Sequence, residues 1–189
     1  APGECVGDPE FVDAGAVHVL YGSVLGLTVD GNDLFTQATA GMPGTAQAGD
    51  RFGSVLSTAH LSGDFPDELV IGVPDEDLEG DTPVTDAGAV HILLGGPDGL
   101  SAAESLLFVS GSGAINWVPG DFDRFGSSFA GLLIGDPAAN HLAIGAPGRD
   151  VVGQNAAGAV VILFDPTSVS PTVAFLAQGG LIPGNPEAF

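Results

Sequence analysis

Arg51-Phe52-Gly53-Ser54, followed by Leu69-Val70-Ile71-Gly72-Val73-Pro74 and Asp86-Ala87-Gly88-Ala89-Val90-His91, is one pass through a unit that the chain uses more than once. The first element returns 73 residues later as Arg124-Phe125-Gly126-Ser127, and the second as Leu142-Ala143-Ile144-Gly145-Ala146-Pro147. The third is already present 73 residues earlier, as Asp13-Ala14-Gly15-Ala16-Val17-His18. Gly26-Leu27 and Leu34-Phe35 match Gly99-Leu100 and Leu107-Phe108 at the same spacing, and a further copy starts at Ala157-Gly158-Ala159-Val160 and fades through Ala174-Phe175. A fixed offset held by several landmarks is an internal repeat, and it governs how every single site is read.

Within each copy the apolar runs are short and bounded by Gly, Pro and Asp, the pattern of strands and turns. Strands are expected near Phe52–Ser57, Glu68–Val73, Ala89–Leu94 and Ser105–Ser110, with Pro97-Asp98-Gly99 turning between the last two. The next copy supplies Phe125–Leu132, His141–Ala146, Ala159–Phe164 and Val173–Ala177, and the first, partial copy Ala16–Tyr21 and Leu34–Gln37. Four strands in about 70 residues is the content of one antiparallel propeller blade. The sequence therefore predicts an all-β chain of propeller-type blades.

The pairing of Phe52-Gly53 with Gly72-Val73-Pro74, and of Phe125-Gly126 with Gly145-Ala146-Pro147, resembles the FG-GAP repeat. That family builds the β-propeller heads of integrin alpha subunits and many bacterial extracellular proteins. The Gly-Ala-Val strand and Asp50-Arg51-Phe52-Gly53 fit it too, and the resemblance spans essentially the whole chain. On this alignment residues 1–50 are a partial repeat carrying the last two strands of a blade. Residues 51–123 are a full blade with its connecting loop. Residues 124–189 are a second full blade that ends at the start of another, because Phe189 aligns with Phe125. A closed propeller has about four to eight blades, so this is an incomplete array. Its outer strands are expected to be covered by further copies or by the rest of a longer chain.

Composition narrows the function. Three Lys+Arg, all of them arginine (Arg51, Arg124, Arg149), stand against 24 Asp+Glu, for a net charge of −21. Phosphate backbones and anionic headgroups are repelled by such a surface, which argues against nucleic-acid binding and basic membrane docking. No apolar run reaches the roughly 18 residues of a spanning helix, so membrane insertion is not expected. Hydrophobic residues make up 44% and charged residues 14%, enough apolar area for a core despite the acidity. Cys5 stands alone and has no partner for an intrachain bridge.

The resemblance implies a calcium loop between the first two strands of a blade, with oxygen ligands at alternating positions. In the first full blade these fall on His60, Ser62, Asp64 and Glu68, of which two are carboxylates. A weak calcium site there is one reading, and a tight loop closed by side-chain to backbone hydrogen bonds is the favoured one. The next blade places Leu133, Gly135, Pro137 and His141 at those positions, with no carboxylate. The acidic run from Asp75 to Asp86 reads as a solvated loop, with a calcium or partner surface as the alternative. His18 and His91 occupy one strand position that is Val161 in the third copy, which marks it as a packing position rather than a zinc ligand.

No nucleophile elbow, P-loop or dinucleotide fingerprint is present. Arg51 and Arg124 read as structural residues at the start of the first strand, Asp121 and Asp123 as turn residues, and Trp117 as a packing or ligand-contact residue in an inter-blade loop. The expectation is a non-enzymatic extracellular or cell-surface scaffold or adhesion module, with acidic loops that bind protein or glycan. Two alternatives are a subunit of a larger blade-to-blade assembly or filament and the accessory propeller of a secreted hydrolase.

Overall fold

A computed structural model describes residues 1–5, 11–62, 66–132 and 141–177. The described residues form an all-β protein without a helix. Twelve strands are present: β1 Val17–Val19, β2 Gly22–Ser23, β3 Gly26–Leu27, β4 Asp33–Phe35, β5 Val55–Ala59 and β6 Glu68–Val73. They continue as β7 Ala89–Gly96, β8 Gly99–Val109, β9 Ser128–Leu132, β10 His141–Ala146, β11 Ala159–Phe164 and β12 Thr172–Ala177. Two four-stranded antiparallel sheets run β5-β6-β7-β8 and β9-β10-β11-β12, and the partial copy contributes the pair β1-β4.

The register repeats with the sequence. Val17 faces Phe35 across β1-β4, and Val90 faces Phe108 across β7-β8, which are the same positions one copy apart. Val73 faces Ala89 and Ala146 faces Ala159. In the partial copy Ala1 and Ala16 exchange both backbone hydrogen bonds, at 2.8 and 3.1 Å, and so form that same rung.

Both faces of the β5–β8 sheet are buried, which is why its central strands are apolar runs without polar alternation. Val70, Val90 and Ile92 point to one side, where Leu142, Ile144, Val161 and Phe125 complete a core with the next sheet. Ile71, Val73, Ala89 and Leu93 point to the other, onto Val17, Phe35, Met42 and Phe52.

Neighbouring copies are joined by the two most conspicuous repeated motifs. The Arg51 N–H donates to Asp13 O at 3.0 Å and the Phe52 N–H to Ala14 O at 2.8 Å. One copy later Arg124 bonds Asp86 at 3.0 Å and Phe125 bonds Ala87 at 2.9 Å. Asp13, Arg51, Asp86 and Arg124 all take the left-handed backbone, with φ of 57°, 57°, 48° and 53°. Gly15 and Gly88 also have positive φ, and a Cβ on either would overlap the backbone of Phe52 or Phe125. The Asp-Ala-Gly and Arg-Phe-Gly elements are thus the two halves of one joint.

Two sequence expectations are corrected, and one element is added to them. Phe52 and Phe125 precede β5 and β9 instead of lying in them, because their N–H groups are spent on the joint. β7 and β8 run longer than expected and meet at Pro97-Asp98, with a register shift between Ile92 and Leu94. A short hairpin, β2-β3, stands between β1 and β4.

Candidate functional site

The charged loops gather where one copy meets the next, and two equivalent positions show how differently the two junctions are built. Asp50 and Asp123, both 1% exposed, occupy the same place one copy apart. Each accepts a backbone N–H from three residues earlier, Gln47 at 2.6 Å and Gly120 at 2.9 Å. In the second junction Arg149 Nη1 lies 3.1 Å from Asp123 and donates to Val118 O at 2.8 Å. Its guanidinium sits 5.2 Å from the centre of the Trp117 ring. Burial raises Asp123, and Arg149 pulls against that rise.

In the first junction the position of Arg149 is held by Glu76. The backbone equivalence is direct: Glu76 N–H bonds Val73 O and its carbonyl accepts Gly88 N–H, as Arg149 N–H bonds Ala146 O and its carbonyl accepts Gly158 N–H. A carboxylate therefore stands beside Asp50 where the next junction has a cation. Burial pushes Glu76 up to about 8, with Asp50, Asp77 and Glu79 adding to the rise. Burial likewise pushes Asp50 up to about 7, with Asp77 and Asp75 contributing. Gln37 Nε2 donates to Glu76 Oε2 at 2.5 Å, while the other end of the same buried amide, Oε1, has no hydrogen-bond partner. A pocket of about 180 Å³ opens beside Glu76, walled also by Gln47, Asp77, Glu79, Leu107 and Val109.

The acidic run is more structured than a solvated loop. Leu78 and Val84 form a β-bridge, and Asp77 Oδ1 accepts the Asp86 N–H at 2.8 Å. The Asp75 carboxylate lies 3.4 Å from Arg51 and 3.8 Å from Arg124, and Arg124 is also 3.6 Å from Asp86. The expectation of full solvation is corrected at Glu76, which is 7% exposed because the joint places it inside the junction. The repeat alignment of Glu76 with Arg149 was legible in the sequence, but the burial of Glu76 was not.

Asp64 of the calcium-loop candidate lies outside the described residues. Glu68 is buried at the start of β6, and its Oε2 accepts the backbone N–H groups of Leu61 at 2.6 Å and Ser62 at 3.3 Å. His60 Nδ1 is 3.2 Å from Asp67 Oδ1. Glu68 thus closes its own loop through the Leu61 and Ser62 N–H groups. Of the second loop, only His141 falls among the described residues.

His91 is fully buried, packs edge-on against Phe52 with ring centres 5.4 Å apart, and has neither nitrogen hydrogen-bonded. Burial lowers it to about 4. The equivalent His18 is exposed on β1. Trp117 packs edge-on between Phe125 and Phe175, at 5.9 and 4.1 Å. A groove of about 390 Å³ runs between β1 and the β5–β8 sheet, lined by Val17, Val19, Tyr21, Leu56, Leu69 and Leu100 among others.

No protein-family model matches the chain, and no curated protein matches it. What the structure defines is an all-β protein of repeated four-stranded antiparallel sheets joined through a buried acidic junction.

Proposed function

We propose that this chain is a non-catalytic binding module of the FG-GAP type, extracellular or at a cell surface, whose stacked sheets are propeller-type blades. The observation that supports it best is the joint. It fixes Asp75, Asp77 and Asp86 by charge pairs and backbone hydrogen bonds on the same frame that orders the sheets, so a charged loop is presented by a rigid scaffold. A protein or glycan ligand with basic or polar groups fits such a surface. The test is binding of the chain to arrays of glycans and matrix proteins, alongside a variant carrying Asp77→Asn, Glu79→Gln and Asp81→Asn. Binding that disappears in the variant supports the reading. Binding by neither chain, or by both equally, contradicts it.

A specific observation favours a second reading, blade-to-blade assembly. Among the described residues β1 has a strand on one side only, whereas β7 and β11 are flanked on both. Beyond the Ala1:Ala16 rung the free edge of β1 adjoins the apolar groove at Val17–Tyr21. Sedimentation of the chain, with hydrogen exchange at His18, whose N–H faces away from β4, checks it. Concentration-dependent association that protects this amide is the expected result, and a monomer with it already protected is the contrary one.

A further inference from the structure

We propose that the first junction binds a divalent cation of the calcium type, held by the Glu76 and Asp50 carboxylates and the Gln37 amide oxygen, in the place that the Arg149 guanidinium takes one junction later. The chain itself supplies the comparison. Both junctions bury an aspartate closed onto the same turn, and the second neutralises it with Arg149 at 3.1 Å. The first offers a second carboxylate instead. No cationic side chain makes an ion pair with Asp50 or Glu76 among the described residues, since Arg51 is directed to Asp75, and Arg124 to Asp75 and Asp86. Two buried carboxylates without a counter-charge are costly, and a cation resolves that cost as the guanidinium does next door.

A second observation points to the same ligand independently. Gln37 is 4% exposed, is anchored through Nε2 on Glu76, and its buried Oε1 has no hydrogen-bond partner. An orphaned oxygen on an amide bonded to a buried carboxylate is an oxygen donor in the class hard cations use. Among the described residues no three His, Cys, Asp or Glu side chains are grouped to hold a metal by themselves. The Gln37 oxygen therefore matters, and water completes the sphere. A pocket of about 180 Å³ walled by Glu76, Asp77 and Glu79 opens on the Glu76 side of the site and has room for those waters. An irregular set of oxygens suits calcium, which accepts about six to eight ligands in flexible geometry, better than magnesium with its strict octahedron.

The experiment is thermal unfolding of the full chain, stripped with chelator and then titrated with calcium chloride, for wild type and the variants Glu76→Gln, Glu76→Arg and Asp64→Ala. Wild type is expected to gain about 5–10 °C in Tm at calcium one hundredfold above Kd. Glu76→Gln loses most of that gain and Asp64→Ala keeps it, which separates this site from the His60–Glu68 loop. Glu76→Arg reproduces the second junction and is expected to raise the calcium-free Tm while abolishing the response. Calorimetric titration of wild type reads binding without any variant. A wild-type chain that shows neither heat nor a shift in Tm overturns the proposal. So does a gain that survives Glu76→Gln, or a calcium-indifferent Tm that falls as pH rises through neutrality, which would mean that protons neutralise the pair.

Discussion

At the scale of single residues the joint is unforgiving, because Gly88 combines a left-handed φ of 86° with a backbone lying where a side chain would begin. Gly88→Ala adds strain of about 1–3 kcal/mol to an overlap that must push Phe125 out of place. Urea unfolding is expected to show a loss of roughly 2–5 kcal/mol, and a loss no larger than for an exposed Gly→Ala change such as Gly113→Ala would show that the joint is not as drawn. His91 makes a different prediction. Its native pKa of about 4 lies below the unfolded 6.5, so the unfolded chain takes up a proton that the native state refuses. The stability it contributes is complete above pH 6.5 and is lost as pH falls toward 4, by about 3 kcal/mol. His91→Val, the residue of the third copy, is expected to flatten that part of the stability–pH curve. An unchanged slope would show that other groups carry it.

At the scale of elements the two junctions are the informative comparison. Asp123 is buried and depends on Arg149, so Arg149→Leu leaves a carboxylate without its partner and is expected to cost about 3–5 kcal/mol in urea unfolding. The loss is expected to shrink when Asp123→Asn is added, and equal losses in single and double variants would contradict the pairing. The strands themselves were legible in the sequence: Glu68–Val73, His141–Ala146 and Ala159–Phe164 stand where the short apolar runs between Gly, Pro and Asp put them. Periodicity failed at Phe52 and Phe125, since an apolar residue beside a strand looks like part of it until the partner of its N–H is known. The repeat announced both halves of the joint, Asp-Ala-Gly and Arg-Phe-Gly, without saying that they touch. The acidic run was visible, and the burial of Glu76 was hidden because burial is a tertiary property of the junction. Glu68 was legible both as the last position of the candidate loop and as the first residue of its strand, and its role as acceptor for Leu61 and Ser62 follows from the turn that brings their N–H groups to it.

At the scale of the whole molecule the charge of −21 with no lysine makes self-repulsion a standing cost of the folded state. Salt shortens the Debye length from about 10 Å at 0.1 M to about 3 Å at 1 M, so the Tm is expected to rise across that range of sodium chloride. A Tm that falls with salt would mean that the Asp75, Arg51 and Arg124 pairs outweigh the repulsion. The central claim is that one unit, repeated at 73 residues and locked through the Asp-Ala-Gly and Arg-Phe-Gly joint, builds the molecule. A crystal structure of the chain, with the copy starting at Arg51 superposed on the copy starting at Arg124, tests it most directly. The account predicts that β5, β6 and β7 overlay β9, β10 and β11 and that the Phe52 and Phe125 N–H groups bond Ala14 and Ala87. Strands that fail to overlay, or Phe52 and Phe125 paired inside their own sheets, would contradict it.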